Sequence, residues 1–186
     1  MEAGSLNALR SSRALAVGTS LRILACPAIM ALLLGHDYTI GAVVFGIAAA
    51  TDWFDGRLAR RWGVTTKLGS FLDTTADKLL VTTTLIALVA VNRASPWVAL
   101  VIVAREFTIL GLRAAVAAGG VRVMETSMLG KWKATIQFAA IALAILRPEV
   151  TIGGAYLDQW AMVIAAVVTA WSGADYLARA TDALRS

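Results

Sequence analysis

The chain has 186 residues, of which 59% are hydrophobic and 16% charged, and its mean hydropathy is +0.73. Soluble proteins average roughly a quarter charged residues, so the composition excludes an ordinary soluble domain and points to an integral membrane protein of all-α class, a single domain over 1–186 whose site must be built from helix ends and short loops. The net charge of +5 comes from basic residues at helix ends rather than from a soluble face, which argues against nucleic acid and for anionic lipid or a phosphorylated substrate.

A spanning helix needs roughly 20 mostly apolar residues, and six stretches qualify, at about 18–35, 39–58, 71–91, 95–118, 131–147 and 154–177. Ahead of the first, the segment SLNALRSSRALAVG is short, carries Arg10 and Arg13, and reads as a separate interfacial helix lying along the membrane surface. The apolar run from Ile23 to Leu34 lacks a small-residue cleavage site and is followed by further spans, so a retained helix is expected rather than a removed leader. Cys26 is the only cysteine, which leaves no disulfide framework and no cysteine-based metal site. The break GHDYT holds the only histidine, His36, read as a solvated loop residue. The later breaks are RRWGVTTKLG, VNRASP, GGVRVMETSMLG and RPEVTIGG. The fifth span is short, and the lysines of its GKWK start snorkel toward an interface. Trp53, Trp62, Trp97 and Trp132 fall near span ends, where indoles anchor, and Gly111, Gly119 and Gly120 suit close helix packing.

The distribution of lysine and arginine sets the orientation. All but Arg93 and Arg147 of the 17 basic residues fall on the side that carries both termini and the loops near 56–70 and 119–133. That side is expected to be cytoplasmic.

The segment TDWFDGRLARRWGVTTKLGSFLDTTADKLL, Thr51 to Leu80, sets four aspartates into this apolar chain. On a helix, Asp52 and Asp55 lie about 60° apart and Asp73 and Asp77 about 40° apart, so each pair shares a face. Gly63 offers a helix stop between the pairs, and the two helices can stand antiparallel. Clustered carboxylates at a membrane boundary repel one another and lose hydration, and the usual outcomes are raised pKa values or a bound cation. Without histidine or cysteine ligands, an all-oxygen site favours hard ions such as Mg²⁺, Mn²⁺ or Ca²⁺. Two ions in one such cage are a recurring arrangement for phosphoryl transfer. A divalent-cation transporter with a carboxylate-lined path fits the same residues, but such sites lie near the bilayer midplane between internal repeats, and the sequence shows no repeat.

Written with its spacing, Asp52-x2-Asp55-Gly56-x2-Ala59-Arg60-x8-Gly69-x3-Asp73-x3-Asp77 resembles the signature of the CDP-alcohol phosphatidyltransferases at every defined position. The resemblance implies a six-helix membrane enzyme, a homodimer, that transfers a phosphatidyl or phosphoalcohol group from a CDP-linked donor and releases CMP. By the same resemblance Asp52, Asp55, Asp73 and Asp77 face a metal site holding two Mg²⁺ or Mn²⁺ ions, and Asp77 is the general base on the acceptor hydroxyl. Gly56 and Gly69 let backbone approach the cytidine, Arg60 faces the donor phosphates, and Thr66 is a further candidate for nucleotide contact. A missing side chain permits close contact, and a guanidinium suits bidentate phosphate binding.

Outside the signature, TSLRILACP, with Thr19, Arg22 and Pro27, and the segments REFTILGLR and GKWKATIQ resemble the phosphatidylglycerophosphate synthase branch of that family. That branch implies CDP-diacylglycerol as donor and glycerol 3-phosphate as acceptor; inositol phosphate and phosphatidylglycerol are the acceptors of its nearest relatives. Ala16 stands where family members often carry asparagine. Arg105 and Arg113 are eight residues apart and share roughly one face, and Lys131 and Lys133 open the next helix. Together they suit a pocket for a phosphorylated acceptor. Membrane anchoring explains Lys131 equally well, and Arg105 has an alternative partner in Glu106.

Overall fold

The computed structural model describes the backbone of residues 2–62, 67–118 and 128–185 and the side chains of residues 18–51, 71–116 and 132–179. Its six helices are α1 (Glu2–Leu34), α2 (Tyr38–Trp62), α3 (Lys67–Ala90), α4 (Pro96–Ala118), α5 (Met128–Leu146) and α6 (Leu157–Arg185). Each expected span lies on one of them. The interfacial helix expected ahead of the first span is not a separate element, because α1 runs unbroken for 33 residues. From Ser5 to Val17 the chain has no glycine or proline to stop a helix, and its leucines, alanines and arginines are strong helix formers. Pro27 lies inside α1, where it removes a single backbone donor.

Three helix ends are set by residues in the left-handed region. His36 has φ 67°, His36 N donates to Leu33 O and Asp37 N to Leu32 O at 3.1 and 2.9 Å, which is the paired closure of a Schellman motif. Asn92, φ 56°, closes α3 the same way through Asn92 N to Val89 O and Arg93 N to Leu88 O. Arg147, φ 42°, ends α5 with the single bond Arg147 N to Leu143 O at 2.7 Å. Ser95 and Pro96 then start α4 as N-cap and first helical residue, the positions each favours. Between α5 and α6 the chain forms a two-stranded antiparallel hairpin, β1 (Thr151–Ile152) and β2 (Ala155–Tyr156), with Ile152 opposite Ala155. Its turn, Gly153 and Gly154, has φ 60° and 84°; both central residues positive is the geometry of a type I′ turn. The sequence reading had no strand here.

The helices fall into two compact units, Met1–Ala87 and Leu88–Ser186. In the first, α1 packs on α2 through Cys26, Ile29 and Leu33 of one helix and Phe45 and Ala48 of the other, all buried. A Cβ on Gly41 would meet Leu33 Cδ2 at 3.0 Å, so glycine lets the two backbones approach there, as small residues do in lipid-facing bundles. In the second unit α6 packs against both α4 and α5. Its buried faces change character along their length. Ala99 and Ile102 of α4, Ile141, Ala144 and Ile145 of α5, and Met162, Ala165 and Ala166 of α6 are apolar; Glu106, then Lys133 and Gln137, then Thr169 and Ser172 are not.

Among the described residues one stretch, Leu157–Arg179, is both long and apolar enough to cross a bilayer, with mean hydropathy 1.4; Gly18–Leu34, Tyr38–Thr51 and Trp132–Leu146 are shorter apolar segments. Charge interrupts two further helices, through Asp73, Asp77 and Lys78 on α3 and Arg105, Glu106 and Arg113 on α4. Large apolar side chains nevertheless face outward along α1, α2, α4 and α6, among them Leu24, Ile47, Leu100 and Val167, which are more than half exposed. Exposed apolar surface on that scale is unusual for a soluble monomer and suits contact with lipid.

Candidate active site

Arg22 on α1 is buried and donates from Nη1 to Oδ1 of Asp73 on α3 at 2.9 Å. One turn further along α3, Asp77 Oδ2 accepts from Lys78 Nζ at 2.6 Å. The Asp73 side chain stays 35% exposed and that of Asp77 18%. Both carboxylates therefore keep access to solvent while a cation stands beside each. Carboxylate oxygens four residues apart on one helix face fit a hard divalent cation. Two carboxylates do not complete such a site, and no group of three or more ligating side chains occurs among the described residues. Asp52 and Asp55, which the sequence pairs with them, lie outside the described side chains, as do Gly56, Arg60 and Gly69; Thr66 lies outside the described residues altogether. Ala16 is likewise outside the described side chains.

Near this end of the first unit α1 and α2 leave an apolar groove of 290 Å³ lined by Gly18, Leu21, Leu24, Ala25, Ala28, Val44, Ile47 and Ala48, with Arg22 and Thr51 also on its wall.

The second unit gathers the residues expected to serve an acceptor phosphate. Lys133 is buried and its Nζ forms an ion pair with Glu106 Oε1. The same oxygen faces Arg105 Nη1 at 3.3 Å. Arg105 Nη2 donates to Ser172 Oγ on α6 at 3.2 Å. A Cβ on Gly173 would stand 2.8 Å from Arg105 Cγ, so the Arg105 stem lies directly on the α6 backbone. Two turns along α4, Arg113 stacks its guanidinium over Tyr176, 5.2 Å from the ring centroid, a cation–π contact. The Nε atoms of Arg105 and Arg113, Gln137 Oε1 and Thr169 Oγ1 are buried without hydrogen-bond partners among the described residues. Buried polar atoms of this kind are costly unless a ligand or water completes them. Lys131 lies outside the described side chains. Glu106 is a partner of Arg105, as its neighbouring position allowed, but its contact with Lys133 on another helix was not legible. Ser172 and Gly173 were not singled out; two adjacent small residues within the bulky run of α6 are the signal that would have found them.

At the opposite end of this unit the two basic residues that break the charge bias have structural partners. Arg93 donates to Ile145 O in the last turn of α5. Arg147 donates from Nε to Asp158 Oδ2 at 3.2 Å and from Nη2 to Asn92 O at 3.3 Å, and stacks over Tyr156. Asp158, fully buried in the first turn of α6, is well placed for the helix dipole. Both arginines bind carbonyls near helix C-termini, where cations are favoured.

A family model described as CDP-alcohol phosphatidyltransferase matches residues 16–171. Among curated proteins, the chain is 39% identical over 150 residues to the CDP-diacylglycerol–glycerol-3-phosphate 3-phosphatidyltransferase of Bacillus subtilis, covering 78% of this chain and 76% of that one. It is 43% identical over 140 residues to the protein of the same name from Sodalis glossinidius, covering 73% and 75%. With the one from Salmonella typhimurium it shares 42% over 145 residues, covering 76% and 78%.

Proposed function

Because the chain belongs to the CDP-alcohol phosphatidyltransferase family, we propose that it transfers the phosphatidyl group of CDP-diacylglycerol to glycerol 3-phosphate, giving phosphatidylglycerophosphate and CMP. The observation that carries the choice of acceptor is the cation cluster of α4 and α5: among the described residues, Arg105 and Lys133 share the one carboxylate of Glu106, and Arg113, on the same helix as Arg105, lies over Tyr176. A plain alcohol would have no use for those cations, whereas a phosphate monoester carries about −1.5 to −2 charge at neutral pH. The names of the relatives support the same acceptor.

In this reading Asp52, Asp55, Asp73 and Asp77 hold divalent metal, two ions of Mg²⁺ or Mn²⁺, which when bound neutralises charge on the donor pyrophosphate. Asp77 takes the proton from the acceptor hydroxyl. The freed oxygen attacks the phosphorus of the phosphatidyl group in line, and CMP leaves with the electron pair of the broken P–O bond. Arg60 receives the donor phosphates, Gly56, Thr66 and Gly69 line the nucleotide, and Arg113 and Lys133, with Arg105 and Lys131, hold the acceptor phosphate. The α1/α2 groove offers an apolar surface on which a donor acyl chain can stay out of water. Six membrane crossings within one domain, both termini and the aspartates on the cytoplasmic side, and a homodimer complete the proposal. Six helices in the expected places and tryptophans toward both ends of the second unit, Trp97 and Trp160 at one and Trp132 and Trp171 toward the other, support the crossings.

The metal part is tested by CMP release from CDP-diacylglycerol and glycerol 3-phosphate in detergent. A chelator should stop release, and added Mg²⁺ or Mn²⁺ should restore it. Release that continues at full rate after exhaustive chelation would remove metal from the mechanism.

A further inference from the structure

We propose that Glu106 and the Ser172–Gly173 pair of α6 are positioning residues for the acceptor site, fixing the direction of Arg105 and Lys133 and setting the charge that a phosphate monoester meets. The inference deepens the acceptor reading above and rests on it. It begins from an oddity of the second unit, a carboxylate at the centre of a cluster meant for an anion. Glu106 is 3% exposed, and its Oε1 is shared by Lys133 from α5 and Arg105 from its own helix. A buried lysine and a largely buried arginine without a counter-charge would be expensive to keep ionised. One carboxylate offsets that cost for the pair. Among the described side chains the cations Arg105, Arg113 and Lys133 outnumber the carboxylate Glu106, a balance that suits the negative charge of a phosphate monoester.

The second observation concerns direction. An arginine side chain has many rotamers, and a phosphate site gains from having few. Arg105 is held at three points: Nη1 on Glu106, Nη2 on Ser172 Oγ, and its stem against the bare backbone of Gly173. That leaves Arg105 Nε buried and without a hydrogen-bond partner among the described residues. Any Cβ at position 173 would drive the stem from its seat, since 2.8 Å to Cγ is far below carbon–carbon contact distance. Helix α6 lies wholly outside the aspartate signature, yet through these two residues it sets the geometry of the acceptor cations. Asp175, the nearest acidic residue along α6, is turned to Arg179 in an ion pair of its own.

The test is a comparison of Gly173→Ala, Glu106→Gln and Glu106→Asp with the wild-type protein, each purified in detergent. KM for glycerol 3-phosphate is measured at saturating CDP-diacylglycerol, and KM for CDP-diacylglycerol at saturating glycerol 3-phosphate. Gly173→Ala changes no charge and favours the helix, so it folds and isolates the positioning effect. Its acceptor KM should rise roughly ten- to a hundredfold, the range for losing a hydrogen bond to a charged group, with the donor KM unchanged. Glu106→Gln should shift the acceptor KM in the same direction, and Glu106→Asp should recover part of it. An acceptor KM in Gly173→Ala equal to wild type, or acceptor and donor KM values rising together, overturns the inference while leaving the function intact. A folded wild-type protein that gives no turnover with glycerol 3-phosphate overturns both.

Discussion

At the scale of single residues, the chemistry proposed here comes down to which carboxylate does what. Asp73 is tied to the buried Arg22, whereas Asp77 is held only by its sequence neighbour Lys78 among the contacts described. In the proposed reading Asp73 is fixed across helices by a buried arginine, and Asp77 is the carboxylate left to exchange a proton. Replacing it with asparagine keeps the shape and removes the base. The expected result for Asp77→Asn is a fall in kcat of about 10²–10⁴-fold with donor binding largely kept, read from steady-state CMP release and from CDP-diacylglycerol affinity. Equal loss of binding and turnover would instead make Asp77 chiefly a donor or metal ligand. The aspartates were legible because carboxylates are rare in an apolar chain and their spacing is helical. The role of Glu106 was only half legible: adjacency offered Arg105 as a partner, but no sequence pattern says that Lys133, 27 residues on, comes to the same oxygen.

Helices and their ends show a similar division. The six apolar runs announced the six helices because a helix of lipid-facing residues must be long and continuous. Their stops were less visible. His36, Asn92 and Arg147 adopt positive φ at positions where glycine is the usual signal, and only asparagine among them is a common substitute. The hairpin before α6 carries its own signal, Gly153 and Gly154 between Thr151, Ile152 and Tyr156, the glycine-pair turn with β-formers around it, but two-residue strands leave no periodicity to separate it from a polar break. Arg147 gains most from the structure. It joins the end of α3 to the start of α6 through Asn92 O and Asp158, and Asp158 has no exposure at all. Arg147→Met would leave that carboxylate buried without its cation, so the protein should lose about 3 kcal/mol of stability, measured as a lower thermal midpoint in detergent. Asp158→Asn with Arg147→Met should recover part of the loss. A single variant as stable as wild type would show that the pair has little role in joining the turn at Asn92, α5 and α6 at this end.

For the molecule as a whole, hydropathy and charge compete on the helices that carry the chemistry. Among the described residues, α3 and α4 are long enough to cross a bilayer but are not apolar enough, because the helices that carry the chemistry also carry the charges. An enzyme that joins a lipid-anchored donor to a water-soluble acceptor has to place ionised side chains on helices that also meet lipid, and α3 and α4 show the result. Membrane residence is instead legible in the outward-facing leucines, isoleucines and valines. In the proposal the donor and the metal rest on the aspartate signature, and the acceptor rests on the α4–α5 cations and on the names of the relatives. Acceptor choice is therefore the claim most worth testing. The direct measurement is CMP release by the purified protein with CDP-diacylglycerol and Mg²⁺ or Mn²⁺, offered glycerol 3-phosphate, inositol phosphate or phosphatidylglycerol in parallel. Release with glycerol 3-phosphate alone is the predicted result; release with either of the others and none with glycerol 3-phosphate would contradict it.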